Sequence, residues 1–377
     1  MMTEPNADVQ VVGGVDTHAE VHLAAVIDQV GRELGHAAFP TTPDGYAALL
    51  EWLGQHGQVL LVGVEGTGMY GAGLTRVLQA AGIWVVEVDR PDRKARRFQG
   101  KSDPIDAYAA ARAALSGRAS GTPKTRTGTV EMIRQLRVAR AGAVKAKTIA
   151  WNELKALIKT APDPLRQQLR AMDGAALLDR CVGLRAARGP VPHHSPFAKR
   201  RRPGVLVDPT AACKRALSVL ARRIRTLEAE IADLDDDLRP LIEQTAPTLL
   251  AMYGVGLDVA GQLLATVGDN PDRLRTEAAF AHLCGVAPIP ASSGKTNRHR
   301  LNRGGDRGAN HALWRIAMTR LRYDQRTKTY RERRAAQQKT NKDIMRCLKR
   351  YIAREVYDAI LTDLAPTPPT ENLVRAA

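Results

Sequence analysis

Four carboxylates stand where phosphodiester chemistry would need them. Asp16 closes the apolar run at 11–15 and Glu65 closes the apolar run at 59–64, while Asp103 and Asp106 lie three residues apart at the head of an Ala-rich stretch. Acids at strand ends and on a nearby helix can converge on one or two Mg2+ ions, whose hard charge prefers oxygen ligands. Such a site activates an attacking oxygen and stabilises a leaving one, and a phosphodiester is its natural substrate. Residues three apart share one helix face, and acids clustered there repel unless a cation offsets them. Each piece also has a plainer reading. Asp103-Pro104-Ile105-Asp106 suits a helix start with Asp103 as N-cap and Pro104 in the first position. Glu65 precedes Gly66-Thr67-Gly68, a turn sequence, and Asp16 could merely end a strand.

The elements that must hold these acids follow from periodicity and turn residues. Short apolar segments at 11–15, 21–27 and 32–39, with a turn at 28–31, predict an antiparallel meander. A helix at 43–53, a strand at 59–64, a helix at 71–81, a strand at 83–88 and a helix at 104–115 follow. The order β-β-β-α-β-α-β-α predicts an α/β domain with a mixed sheet. A strand Asp, a central-strand Glu and a helical Asp-x-x-Asp, in that order, match the RNase H/RuvC pattern.

Farther along, 130–172 reads as helical with a break near 162–164. Pro190, Pro192, Pro196, Pro203 and the cluster Lys199-Arg200-Arg201-Arg202 mark 183–205 as a loop. Leu217, Leu220, Ile224, Leu227, Ile231, Leu234 and Leu238 alternate steps of three and four, a coiled-coil stripe over about three heptads. Paired helices would imply an oligomer, and the plainer alternative is one amphipathic helix on its own domain. From 246 a helical domain begins. Tyr253-Gly254-Val255-Gly256, followed by Ala260, Leu263 and Leu264, resembles a helix-hairpin-helix, in which Gly254 and Gly256 would let backbone amides approach a DNA phosphate. An ordinary packing corner reads the same way. Two further helices are expected at 307–323 and 341–361.

Composition narrows the class. The chain has 377 residues, 44% of them hydrophobic, and a formal net charge of +17. A globular chain with that excess calls for a polyanionic partner, nucleic acid first and a membrane surface second. No apolar run of about 18 residues exists to span a bilayer, and the polar start is no signal peptide. A cytoplasmic location is expected. Cys181, Cys213, Cys284 and Cys347 are scattered without CxxC spacing, which suits free thiols and argues against zinc. From 290 to 360 there are 19 Lys/Arg against 6 Asp/Glu, a local net of +13, which favours nucleic-acid contact over merely solvated faces. Another basic stretch, Arg90, Arg93, Lys94, Arg96, Arg97 and Lys101, precedes the aspartate pair and could hold nucleic acid beside a metal or be a solvated loop.

A second constellation runs from Pro288 to Arg300 and on through Asn302-Arg303-Gly304-Gly305-Asp306-Arg307. Gly294-Lys295-Thr296 is not a nucleotide phosphate loop, because the earlier glycine that motif requires is replaced by Ile289. Ser292 or Ser293, flanked by Gly294 and amid Lys295, Arg298, Arg300, Arg303 and Arg307, could attack a DNA phosphate while the cations offset the developing charge. A polar surface loop would carry the same residues.

Taken together the motifs resemble the IS110-type transposases. Gly14-Val15-Asp16-Thr17-His18, Gly63-Val64-Glu65-Gly66-Thr67-Gly68 and Lys101-Ser102-Asp103-Pro104-Ile105-Asp106-Ala107 carry the N-terminal half of the resemblance. Leu283-Cys284-Gly285-Val286-Ala287-Pro288, Ser292-Ser293-Gly294-Lys295 and Arg303-Gly304-Gly305-Asp306-Arg307 carry the C-terminal half. Ala19, where a Lys or another polar residue is expected, is a departure. The resemblance implies a RuvC-like domain at 1–129 whose DEDD set, Asp16, Glu65, Asp103 and Asp106, binds Mg2+. It implies a helical linker with a coiled coil at 130–243, a mainly helical DNA-binding domain with the serine loop at 244–365, and a flexible tail at 366–377. Ser293 is then the nucleophile that links transiently to DNA. The partners implied are the element ends and target DNA, a structured non-coding guide RNA, and further copies of the chain in a dimer or tetramer. A water-using RuvC-like nuclease and a non-catalytic nucleic-acid-binding protein are the rival readings.

Overall fold

Strand β1 (Gln10–Thr17) is buried along nearly its whole length, as a strand covered on both faces must be. In the computed structural model, which describes residues 9–88, 103–190, 204–293 and 299–365, β1 pairs antiparallel with β2 (Val21–Asp28), and β2 pairs antiparallel with β3 (Glu33–Pro40). On its other side β1 pairs parallel with β4 (Gln58–Glu65), and β4 with β5 (Trp84–Val88). The sheet order is β3-β2-β1-β4-β5, the mixed sheet expected from the element order.

Helices cover both faces. Helix α1 (Pro43–Gln55) starts at Thr42, whose side chain accepts from the Gly45 amide at 3.1 Å, with Pro43 in the first turn. With α2 (Ala72–Ala80) it buries Leu49, Leu53, Leu74 and Leu78 against Val11, Val15, Val62, Val64 and Val85. The opposite face carries α3 (Asp103–Leu115), whose Ala107, Ala111 and Ala114 lie on Val12, Ala25 and Ile27. Small residues there let the helix axis come close to the strands.

The remainder is mostly helical. A long antiparallel hairpin is made by α4 (Thr129–Thr160) and α7 (Pro209–Thr245). Arg140 on α4 donates to Asp235 on α7 at 3.1 Å. Nearer the closed end Ala150, Leu154 and Ile158 meet Leu217, Leu220 and Ile224. Two short helices, α5 (Asp163–Leu169) and α6 (Gly174–Val182), follow the expected break and close that end of the core with Leu165, Leu177, Leu178 and Cys181. A two-residue ladder joins β6 (Arg188–Gly189) to β7 (Val205–Leu206), within and at the end of the 183–205 segment. Its basic cluster at 199–202 lies outside the described residues.

In the heptad stripe, Leu217, Leu220, Ile224, Ile231 and Leu238 are buried, and Leu227 and Leu234 partly so. Its upper half is covered by α4 and α6 of the same chain. Pairing is therefore met within one molecule, and the stripe alone does not call for a second copy.

The chain then continues through α8 (Pro247–Ala251), α9 (Leu257–Val267), a 3-10 turn at Pro271–Arg273, α10 (Glu277–Leu283), the pair β8 (Ile289–Pro290) and β9 (His299–Arg300), α11 (Arg307–Tyr323), α12 (Gln325–Ala336) and α13 (Asn341–Asp363). Proximity divides the chain into two units. One gathers Met1–Gly128, Thr266–Asp306 and Ala353–Ala377, and the other Thr129–Ala265 with Arg307–Ile352. That grouping cuts across the consecutive division expected above, because the serine segment assembles with the N-terminal sheet. No described helix is long and apolar enough to cross a membrane.

Candidate active site

Parallel pairing sets the first two acids side by side. Val15 stands opposite Val64, so Asp16 and Glu65 follow in step at the same end of adjacent strands. Val15 and Val64 point into the α1/α2 core. Strand alternation therefore puts Asp16 and Glu65 on the other face, the one under α3. Thr17 ties the two strand ends together, its hydroxyl donating to the Glu65 carbonyl at 2.8 Å.

Asp106 reaches that face because α3 lies almost on the backbone of the sheet. A Cβ on Gly14 would sit 2.2 Å from the Ala107 carbonyl oxygen, and one on Gly63 would sit 2.6 Å from that of Ala110. Two glycines side by side thus form the notch that takes the helix, and Asp106, one residue before Ala107, is buried with Asp16. The His18 ring stands 3.1 Å from the Asp16 carboxylate. Asp103 is the first residue of α3, and its side chain lies outside the described residues. Among the described residues no group of three or more His, Cys, Asp or Glu is gathered closely enough to hold a metal. Asp16, Glu65 and Asp106 offer carboxylate oxygen with no thiolate, a donor chemistry that fits a hard divalent cation.

Just past Glu65 the chain turns through Gly66, at φ +72°, into buried Thr67. The Thr67 hydroxyl donates to Glu87 on β5 at 2.7 Å, and the second Glu87 oxygen meets the Arg273 guanidinium at 3.4 Å. Arg273 also donates to the carbonyls of Thr122 at 2.9 Å and Val267 at 3.5 Å. Asn270 clasps the same strap, donating to the Pro123 carbonyl and accepting from the Thr125 amide. Burial among Arg273 and Arg126 pulls the Lys124 ammonium down to about 8, with Asp306 and Glu87 opposing the shift. Glu87, Arg273 and Lys124 were not singled out from the sequence. Glu87 alternates with Val86 and Val88 in a strand and was the one readable signal, a charge inside a buried run.

The serine segment is anchored in the same unit. Ile289 pairs with Arg300 and Pro290 with His299, so Ser292 and Ser293 lie, exposed, on the loop joining β8 to β9. The following motif fixes the base of this hairpin. Gly305, at φ +86°, leaves no room for a Cβ, which would meet the Leu283 carbonyl at 2.5 Å. Asp306 accepts from the Thr266 hydroxyl at 2.8 Å, and its amide donates to Leu283 at 2.6 Å. Beyond it, Tyr357 donates to the Leu274 carbonyl at 2.7 Å and lies against Phe280. Cys284 is buried beside Asp306, and its thiol is pushed far up, which leaves it inert as a nucleophile.

Of the expected nucleic-acid contacts, Arg300 and Arg303 are exposed on the serine segment, and Arg307 is exposed at the start of α11 in the other unit. Arg93, Lys94, Arg96, Arg97, Lys101, Lys295 and Arg298 lie outside the described residues. Gly254, at φ +88°, makes the turn before α9, packed on Ile316 and Thr319 of α11, while Gly256 has open space around it.

Comparison with known proteins bears on this arrangement. Residues 13–161 match the IS110 DEDD family, described as transposase, and residues 246–332 match the family described as transposase IS116/IS110/IS902. A 43.6 kDa protein of insertion element IS110 from Streptomyces coelicolor is 35% identical over 127 residues, covering 33% of this chain and 30% of the relative. A 42 kDa protein of insertion element IS900 from Mycobacterium paratuberculosis is 26% identical over 160 residues, covering 42% of this chain and 40% of the relative. The chain thus spans less than half the length of the curated relatives it matches.

Proposed function

This chain belongs to the IS110 family of transposases, and on that premise we propose that it cuts and rejoins DNA strands at the ends of an insertion sequence. In this reading Asp16, Glu65, Asp103 and Asp106 hold Mg2+, and Ser293 attacks the scissile phosphate. The observation that carries it is the membership of both motif groups in one unit: the strand-end acids, and the β8–β9 loop bearing Ser293.

Mg2+ held there supplies polarisation of the phosphate and charge for the developing oxyanion. Every other task falls to the protein. As the Ser293 Oγ–phosphorus bond forms, the phosphorus–oxygen bond to the departing strand breaks. The hydroxyl proton passes to solvent, and the departing oxygen takes one up. The ester conserves the energy of the cut bond, so attack by a second strand end reverses the step without an external source. Arg300 and Arg303, with Lys295 and Arg298, offset the phosphate charge, and Arg93, Lys94, Arg96, Arg97 and Lys101 hold the strand beside the acids. Gly254, Gly256 and Arg307 contact the DNA backbone. Family resemblance adds a structured non-coding RNA as guide, work in the cytoplasm, and assembly into a dimer or tetramer. Such an oligomer draws on surfaces other than the upper half of the α7 stripe, which is occupied within the chain.

The test is to trap a covalent protein–DNA adduct. Purified protein, Mg2+, any co-transcribed RNA and labelled element-end DNA are run on a denaturing gel. An adduct that forms with the wild type and is lost in both Ser293→Ala and Asp16→Ala is the expected result. Cleaved DNA with no adduct, undiminished by Ser293→Ala, would sink the serine mechanism and leave a nuclease that uses water.

A further inference from the structure

Helix α11 has two dissimilar faces. Ala309, Ala312, Leu313, Ile316 and Ala317 are buried. The opposite side shows His311, Trp314, Arg315, Met318 and Arg322 at helical spacing, all exposed. Trp314 keeps 40% of its surface in solvent and Met318 keeps 44%. The His311 and Trp314 rings are stacked, with centroids 5.4 Å apart and planes within 23°. At the end of the helix Arg322 lies over exposed Tyr323, 5.2 Å from the ring centroid.

A second element joins this face. Arg320 donates to the Tyr253 carbonyl at 2.9 Å, and the Gly254 turn packs on Ile316 and Thr319. Tyr253 is thereby fixed beside α11 with its ring exposed. Arg315 pairs with Asp258 on the first turn of α9, which pins the middle of the stripe. Every residue named here belongs to the same unit.

We propose that the outer face of α11, with Tyr253 alongside, is a stacking platform for an unpaired segment of DNA. Flat rings stack on any base whose face is free, whereas a duplex keeps its base faces covered. Arg322 beside Tyr323 at the end of the stripe offers a cation for phosphate and adds cation–π attraction. The charge on the helix's outward stripe is of one sign, so the platform complements a polyanion rather than another copy of this basic chain. Seventeen residues of helix extend about 25 Å, enough to follow several nucleotides. Strand exchange of the kind proposed above exposes such unpaired DNA. The platform rests on that reading for its partner and is independent of which group attacks the phosphate.

The experiment measures binding of short labelled oligonucleotides by fluorescence anisotropy. The probes are single-stranded DNA, the duplex of the same sequence, and the matching single-stranded RNA. All proteins carry Ser293→Ala, so that cleavage plays no part and failure of the serine mechanism leaves the result readable. Trp314→Ala is expected to weaken single-stranded DNA binding about tenfold, with duplex binding held within about twofold and the thermal midpoint unchanged. Trp314→Phe recovers most of the loss, and His311→Ala reproduces part of it. Equal losses on duplex, or no loss on the single strand, would overturn the proposal. So would a Trp314-dependent loss as large on RNA as on DNA, or a change of oligomeric mass in Trp314→Ala, which would make the face an interface between copies.

Discussion

His22 is the residue whose environment least suits its chemistry. It is fully buried on β2, its ring is stacked on Tyr46 at 5.6 Å, and neither ring nitrogen meets a partner among the described residues. An unsatisfied buried polar group costs about 1–3 kcal/mol. Burial, reinforced by nearby His18, lowers its pKa below the ordinary 6.5. The ring therefore stays neutral in the fold while the unfolded ring takes up a proton. This contribution is complete above about pH 6.5 and is lost as pH falls from there through the folded value. His22→Leu is expected to raise stability by about 1 kcal/mol at neutral pH and to flatten the acid limb of the stability curve. Urea titrations across the acid range check both, and a variant as acid-sensitive as the wild type would refute the assignment.

At the scale of elements, the glycine notch under α3 sets how closely that helix, with Asp106 on it, lies on the sheet. Gly14→Ala sets a methyl against the Ala107 carbonyl, and backbone cannot step aside as a flexible side chain does. A loss of about 3 kcal/mol is expected. The same change at Gly142, exposed on α4 with nothing within 4 Å, should instead gain about 0.5–1 kcal/mol from helix propensity. Denaturation of the two variants gives opposite signs if the notch is as tight as described, and like signs otherwise. Most of the sheet and its helices was legible in the sequence, because apolar runs of the right period were bounded by Gly, Pro and Asp. Helix α12 was not. It has almost no apolar residues, and its period is hidden, although Asp324 caps it through the Thr327 amide at 2.9 Å, a signal that could have been read. The stripe on α7 was read as a coiled coil, and in the fold its upper half is covered from within the same chain. What periodicity could not say was that α4, which begins 80 residues earlier, supplies that cover. Glu87 and Arg273 escaped for a related reason, since an ion pair spanning 186 positions leaves no local pattern. Asp16 and Glu65 were legible as neighbours at strand ends because each stands where an apolar run stops.

For the molecule as a whole, the net charge of +17 makes nucleic-acid affinity a function of salt. Duplex binding should fall by at least about a hundredfold between 50 and 200 mM salt, since each phosphate neutralised releases condensed counterions. A titration showing a flat response would mean that the basic residues face elsewhere. The unit that contains the candidate active site is stitched from three separate stretches of chain, the last beginning at Ala353. A ribosome delivers residues in order, at about 5–20 per second, and the strand bearing Asp16 emerges long before the segments that complete its unit. During that interval the nascent sheet lacks Arg273 opposite Glu87, and Leu274 lacks the Tyr357 hydroxyl. The strand that bears Asp16 is thus finished only when segments made hundreds of residues later come to rest beside it.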